Sequence, residues 1–215
     1  MTAMPTPHHQ VASATAHMRQ VADGVADASV WSMTTDETAS TLIELTRLKA
    51  QVTELEARVA AHADELQVGD DVGATSTANW LAHQTRQTRP AAAGVVRFGY
   101  DLATHDRVRD ALAHGDLRPE QAKVIVRAIR ELPADLDPDL TIKAEHHLVA
   151  LAAVHDAREL AILGRRLLDV IAPELADEHE RRLLEREEAK AAQATRLTLS
   201  DDGHGKVHGL SLIHI

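Results

Sequence analysis

The chain of 215 residues contains no cysteine, one tyrosine, one phenylalanine and two tryptophans. Without cysteine there is no disulfide, no thiolate metal site and no thiol nucleophile, a usage that suits a reducing compartment, so a cytoplasmic location is expected. Aromatics make up only 2% of the residues, so any core is built from Leu, Val, Ile and Ala. No apolar run approaches the roughly 18 residues of a membrane span, and the N-terminus lacks a basic stretch followed by an apolar one. No membrane partner is expected. Positive charge is also short: 23 Lys and Arg stand against 33 Asp and Glu, a formal net charge of −10. Such a field opposes general attraction to nucleic acid and leaves a local basic face as the only route to it.

What the chain does have is an abundance of Ala, Leu, Asp, Glu and Arg, which favour helices over strands. The expected fold class is mainly α: a multi-helix, bundle-like domain with a long N-terminal helix and a short C-terminal β-hairpin. Residues 1–35 mix Thr, Pro, His, Ala and Ser with few large aliphatics, so they are expected to form a disordered leader. Residues 36–209 form the domain.

The organising stretch is residues 104–133. Val108 and Leu112 lie four apart on one helix, Gly115 offers the positive φ that ends it, and Pro119 suits the first turn of the next. On that second helix Ala122, Ile125, Val126 and Ile129 share an apolar face. Lys123, Arg127 and Arg130 leave on the other side and are the candidate DNA contacts. Pro133 stops the helix.

Upstream, a long helix is expected to open at Asp36 or Thr38. Leu45, Leu48, Val52, Leu55, Val59 and Leu66 alternate three and four apart, with His62 in the remaining slot, a stripe that suits a core helix packed on the domain or a homodimer through the 42–66 helix. Ser76 or Thr77 caps a helix carrying Trp80, expected to be a buried anchor. After Pro90 a helix around Val95, Val96 and Leu102 has Gly94 for close approach. Downstream, a helix is expected over Leu140–Val154, Asp156 and Glu159 form a capping-box pattern before a helix carrying Leu160, Leu163, Leu167, Leu168 and Ile171, and Pro173 opens a charged helix. Thr195–Leu199 alternates, 201–205 is turn-like and 206–209 is extended, which predicts the hairpin. The histidine pairs 8/9, 146/147 and 204/208 lack the geometry or the further ligands of a metal site. No catalytic, cofactor or metal residues are assigned.

Taken in order, Gly73, Ser76, Trp80 and Leu81, then Ala111, Leu112, Gly115, Leu117, Gln121 and Ala122, then Leu132 and Pro133, resemble the N-terminal domain of the actinobacterial 13E12 repeat family, also called domain of unknown function 222. The resemblance continues through Leu167, Leu168, Asp169 and Pro173 to Asp202 and Gly203. It implies that Trp80, Gly115, Gln121 and Pro133 are structural motif positions. It further implies a helical accessory domain of an HNH endonuclease-like, mobile-element-associated protein, whose divalent metal belongs to a C-terminal nuclease module. The chain is expected to be a truncated fragment, with 210–215 a non-native tail and no nuclease activity of its own, the full-length parent being the metal-dependent enzyme. The central pattern also resembles the helix pair of partition-type DNA-binding proteins, so a helix-turn-helix-like DNA-binding module and a self-association module remain alternatives. One departure is Arg118, which stands where the family commonly has a small hydroxyl residue that caps the second helix.

Overall fold

The computed structural model describes residues 9–171, and beyond them 173, 181, 184–185, 188–189, 196–201 and 207–212. Among these lie nine α-helices: α1 (Gln10–Gly24), α2 (Thr35–Glu65), α3 (Thr77–Thr85), α4 (Arg89–Ala103), α5 (Asp106–His114), α6 (Pro119–Arg130), α7 (Pro138–Leu151), α8 (Ala157–Arg165) and α9 (Leu167–Ile171). The chain divides into two compact units, Met1–Leu45 and Thr46–Ile215.

In the first unit α1 occupies Gln10–Gly24, within residues 1–35, which were expected to form a disordered leader. The His9 imidazole accepts a hydrogen bond from the Val11 amide at 3.2 Å and caps the helix. No residue of α1 is buried. Its helicity therefore rests on alanine-rich propensity and the cap rather than on packing. The start of α2 is a capping box on Thr34, two residues before Asp36 and four before Thr38: the Glu37 carboxylate accepts from the Thr34 amide at 2.8 Å, and the Thr34 hydroxyl accepts from the Glu37 amide at 3.2 Å.

In the second unit the core gathers around α5, α6, α7 and α8, with Leu102, Val108, Leu112, Leu117, Ile125, Leu148 and Leu160 fully enclosed. The apolar face foreseen on α6 is the buried one, and α6 packs on α8 and α7. Gly115 adopts φ +77° as the C-cap of α5, and the Asp116 amide reaches back to the Ala111 carbonyl at 2.9 Å. The start of α6 has no hydroxyl cap. Instead the Gln121 side-chain oxygen accepts from the Arg118 amide at 2.8 Å, while its nitrogen donates to the Ala152 and His155 carbonyls at 2.9 and 2.7 Å. One buried amide thus fixes the N-terminus of α6 to the turn between α7 and α8. An arginine side chain carries no acceptor, so the cap is one-sided.

The stripe on α2 needs correction. The residues that α2 buries are Ala50, Glu54, Ala57, Ala60 and Ala61, while Leu48, Val52, Val59 and Leu66 are exposed. Gly99 of α4 explains the choice: a Cβ there would stand 2.1 Å from the Ala57 carbonyl oxygen and 2.8 Å from the Ala61 Cβ. Small side chains allow this close crossing, and a leucine stripe would hold the helices apart. Gly99 takes the part expected of Gly94, which has nothing near it. Trp80 is a second correction. It is half-buried against Gly69 and lies outside the main core cluster, so it fills a local gap rather than anchoring the domain.

Further along, α7 runs from Pro138 to Leu151, the Asp156–Glu159 capping box is present, and the expected helix beyond it breaks at Arg166 into α8 and α9. Pro133 follows α6, and its carbonyl accepts from the Leu136 amide at 3.1 Å. The charged helix expected after Pro173 lies largely outside the described residues; within it Arg181 donates to Glu185 at 2.8 Å.

The C-terminal β-hairpin expected as part of the fold is also corrected, since the fold is mainly helical. Among the described residues the extended segments β1 (Arg196–Asp201) and β2 (Val207–Leu212) pair with each other, Arg196 opposite Leu212 and Asp201 opposite Val207. A lone two-stranded ribbon is at best marginal in water. The core, among residues whose side chains are described, closes with Leu167 and Ile171 of α9. The fold class is therefore mainly α. The backbone of β2 also runs across residues 209–210, where a tail was expected to begin.

Candidate functional site

The three basic residues of α6 do not project into open solvent as an isolated ridge. Together with Arg97 of α4 they line a groove of about 740 Å³ between α2, α4 and α6. Their spacing of four and three residues along α6 places them on one side of the helix, and the packing of that helix turns this side toward α4.

Each cation in the groove has a different attachment. Arg130 is ion-paired with Asp101, a buried carboxylate on α4. Lys123 sits with its ammonium 5.5 Å from the ring centroid of the buried Phe98, a cation–π placement that orients it without neutralising it. Arg127 meets Glu131 one turn on, at 3.7 Å, with both side chains largely exposed. A surface pair of that geometry contributes little and exchanges readily for another anion. Four basic side chains, Arg97, Lys123, Arg127 and Arg130, therefore face two carboxylates, Asp101 and Glu56, and the balance inside the groove is positive although the chain is acidic.

The sequence reading found Lys123, Arg127 and Arg130 but missed Arg97, Phe98 and Asp101. One signal was available for Asp101. It lies three residues after Phe98 and beside Leu102, on a helix whose other buried residues are small or apolar, where a carboxylate needs a cationic partner. The other motif positions lie elsewhere: Gly115 and Gln121 build the α5–α6 corner, Pro133 follows α6, and Trp80 lines a separate pocket of about 690 Å³. At the corner, Arg118 Nη1 is enclosed with no hydrogen-bond partner among the described residues.

No group of three or more histidine, aspartate or glutamate side chains able to hold a metal occurs among the described residues. His146, one of the paired histidines, accepts instead from the Arg107 guanidinium at 2.8 Å. No helix among them is long and apolar enough to cross a membrane.

Fold and groove together define a helical protein with a local cationic cleft on an acidic body. No family model, no curated protein and no solved structure matches the chain.

Proposed function

We propose that the chain is a helical accessory domain of an HNH endonuclease-like, mobile-element-associated protein, and that its groove holds the DNA backbone for a nuclease module. The family part of this reading rests on the resemblance carried by the motifs from Gly73 to Pro133. The observation that supports the DNA part is the convergence of Lys123, Arg127, Arg130 and Arg97 on one groove. Phosphates are recognised by such clusters without regard to sequence.

Insertion of α6 into a major groove as a helix-turn-helix recognition element is less favoured. That mode presents the N-terminal residues of the second helix to base edges, and here the exposed residue at that end is Glu120, which repels phosphate. Lys123 is the fifth residue of α6, and Arg127 and Arg130 lie in its C-terminal half.

The test is fluorescence anisotropy of a labelled duplex over a series of salt concentrations. Binding is expected in the nonspecific range, roughly 10⁻⁴ to 10⁻⁶ M, equally for unrelated sequences. Arg127→Ala is expected to weaken all of them alike and to lower the salt slope by about 0.9. Absence of binding at low salt, or an Arg127→Ala variant that binds like the native chain, removes the DNA part of the reading.

A further inference from the structure

The pocket that Trp80 lines adjoins the cationic groove. Gln87 lines both, and of the residues just after it Arg89 lines the pocket and Pro90 the groove, so the link from α3 to α4 is the rim the two share. The chain carries 33 Asp and Glu, yet no carboxylate lines this pocket. Two of its polar side chains satisfy each other, Asn79 donating to the Thr75 hydroxyl at 2.6 Å. The others, His83, Gln84, Gln87 and Arg89, are exposed, and none is hydrogen-bonded or ion-paired to another described residue. Trp80 adds an aromatic surface. Its indole N–H is neither bonded to another described residue nor enclosed, so the polar edge of the ring is open.

We propose that this pocket takes an unstacked nucleobase from a DNA strand whose phosphates lie in the groove, which makes single-stranded DNA the preferred ligand. The inference rests on the DNA-binding reading of the groove and adds the class of DNA. An indole beside unengaged side-chain amides is the chemistry that receives a base: the ring packs on Trp80, and Gln84 and Gln87 each offer a donor and an acceptor to its hydrogen-bonding edge. A base paired and stacked in a duplex can present neither that edge nor its faces. Arg89, on the shared rim, meets the phosphate of the nucleotide that turns from groove to pocket. Charge alone predicts the opposite preference, because phosphates are denser along a duplex than along a single strand. A preference for the single strand therefore reports on the pocket and not on the groove.

The experiment compares a labelled single strand with the duplex of the same sequence by anisotropy, using the full chain, and follows tryptophan emission in parallel. Trp31 is 93% exposed and belongs to the other unit, so a Trp31→Phe background leaves Trp80 as the one emitting tryptophan. The single strand is expected to bind about ten-fold more tightly than the duplex, the worth of one stacked base, and to quench Trp80. An abasic strand is expected to bind without quenching, and a free deoxynucleoside monophosphate at the same nucleotide concentration to leave the emission unchanged. Trp80→Leu, with its fold checked by circular dichroism, is expected to lower the ratio of single-strand to duplex affinity about ten-fold. Gln84→Ala, at an exposed position, is expected to lower it about three-fold. Loss of all binding at low salt removes the groove reading and this inference with it. Duplex binding with no preference for the single strand, or single-strand binding that leaves Trp80 unquenched, overturns this inference and leaves the groove reading standing. Quenching by the free mononucleotide as strong as by the strand also overturns it, since the pocket then takes free nucleotides.

Discussion

Glu145 shows how much a single side chain can carry in a fold with so few large residues. It belongs to α7, but its carboxylate accepts from the Val108 amide at 3.0 Å, and so satisfies a donor in the first turn of α5 that no local residue caps. Its other oxygen lies 3.5 Å from the buried His105 Nδ1. Burial alone pushes this carboxyl up, but the hydrogen bonds from His105 and from the Val108 and Arg107 amides outweigh it and hold the group below its ordinary value. A carboxylate depressed in the folded state adds stability that is complete above its unfolded value and is lost as pH falls through the folded one. Urea denaturation from about pH 6 down to about pH 3 is therefore expected to show a loss of stability that Glu145→Gln flattens. Trp80→Ala is a second residue-scale case. Because the ring is half-buried against Gly69, it is expected to cost about 1–2 kcal/mol in equilibrium unfolding, less than the roughly 3–5 kcal/mol of a fully enclosed aromatic.

At the scale of elements, two helix contacts decide how the domain closes. Where α2 crosses α4, a methyl group on Gly99 meets backbone rather than a flexible side chain. Gly99→Ala is expected to destabilise by about 1–3 kcal/mol, read as a lower denaturation midpoint without loss of helix content. Where α4 meets α6, Arg130 neutralises the buried Asp101. Arg130→Ala is thus expected to cost stability, roughly 1–2 kcal/mol after allowance for the half-exposed guanidinium, whereas Arg127→Ala changes stability little. Measured together with DNA binding, the two variants separate a structural cation from a ligand-facing one. At the other end of the chain α1 buries nothing, so its amides are expected to exchange with solvent far faster than those of α6.

For the whole molecule, the proposed function assigns the divalent metal to a separate nuclease module, so purified chain incubated with magnesium, manganese, nickel or zinc is expected not to cleave plasmid DNA. EDTA-sensitive cleavage would contradict this. The helical class, the α5–α6 corner with Gly115 at its turn, the capping box at Asp156 and the buried face of α6 were all legible in the sequence. Each is written locally, in 3.6-residue periodicity, in the need of one backbone position for positive φ, or in a side chain reaching its own helix end. The stripe on α2 was legible as a stripe but not as an outer face. Only packing against Gly99 shows that the alanines, not the leucines, turn inward. Arg97 and Asp101 joined Lys123, Arg127 and Arg130 in one groove only when α4 and α6 came together, and Glu145 capped α5 from 37 residues away in the chain. Periodicity and capping are properties of neighbours in sequence, and so they can be read from one strand of text. Which of two usable faces a helix buries, and which charges then converge, depends on the distance at which helices remote in sequence can approach, and that is decided by the tertiary structure.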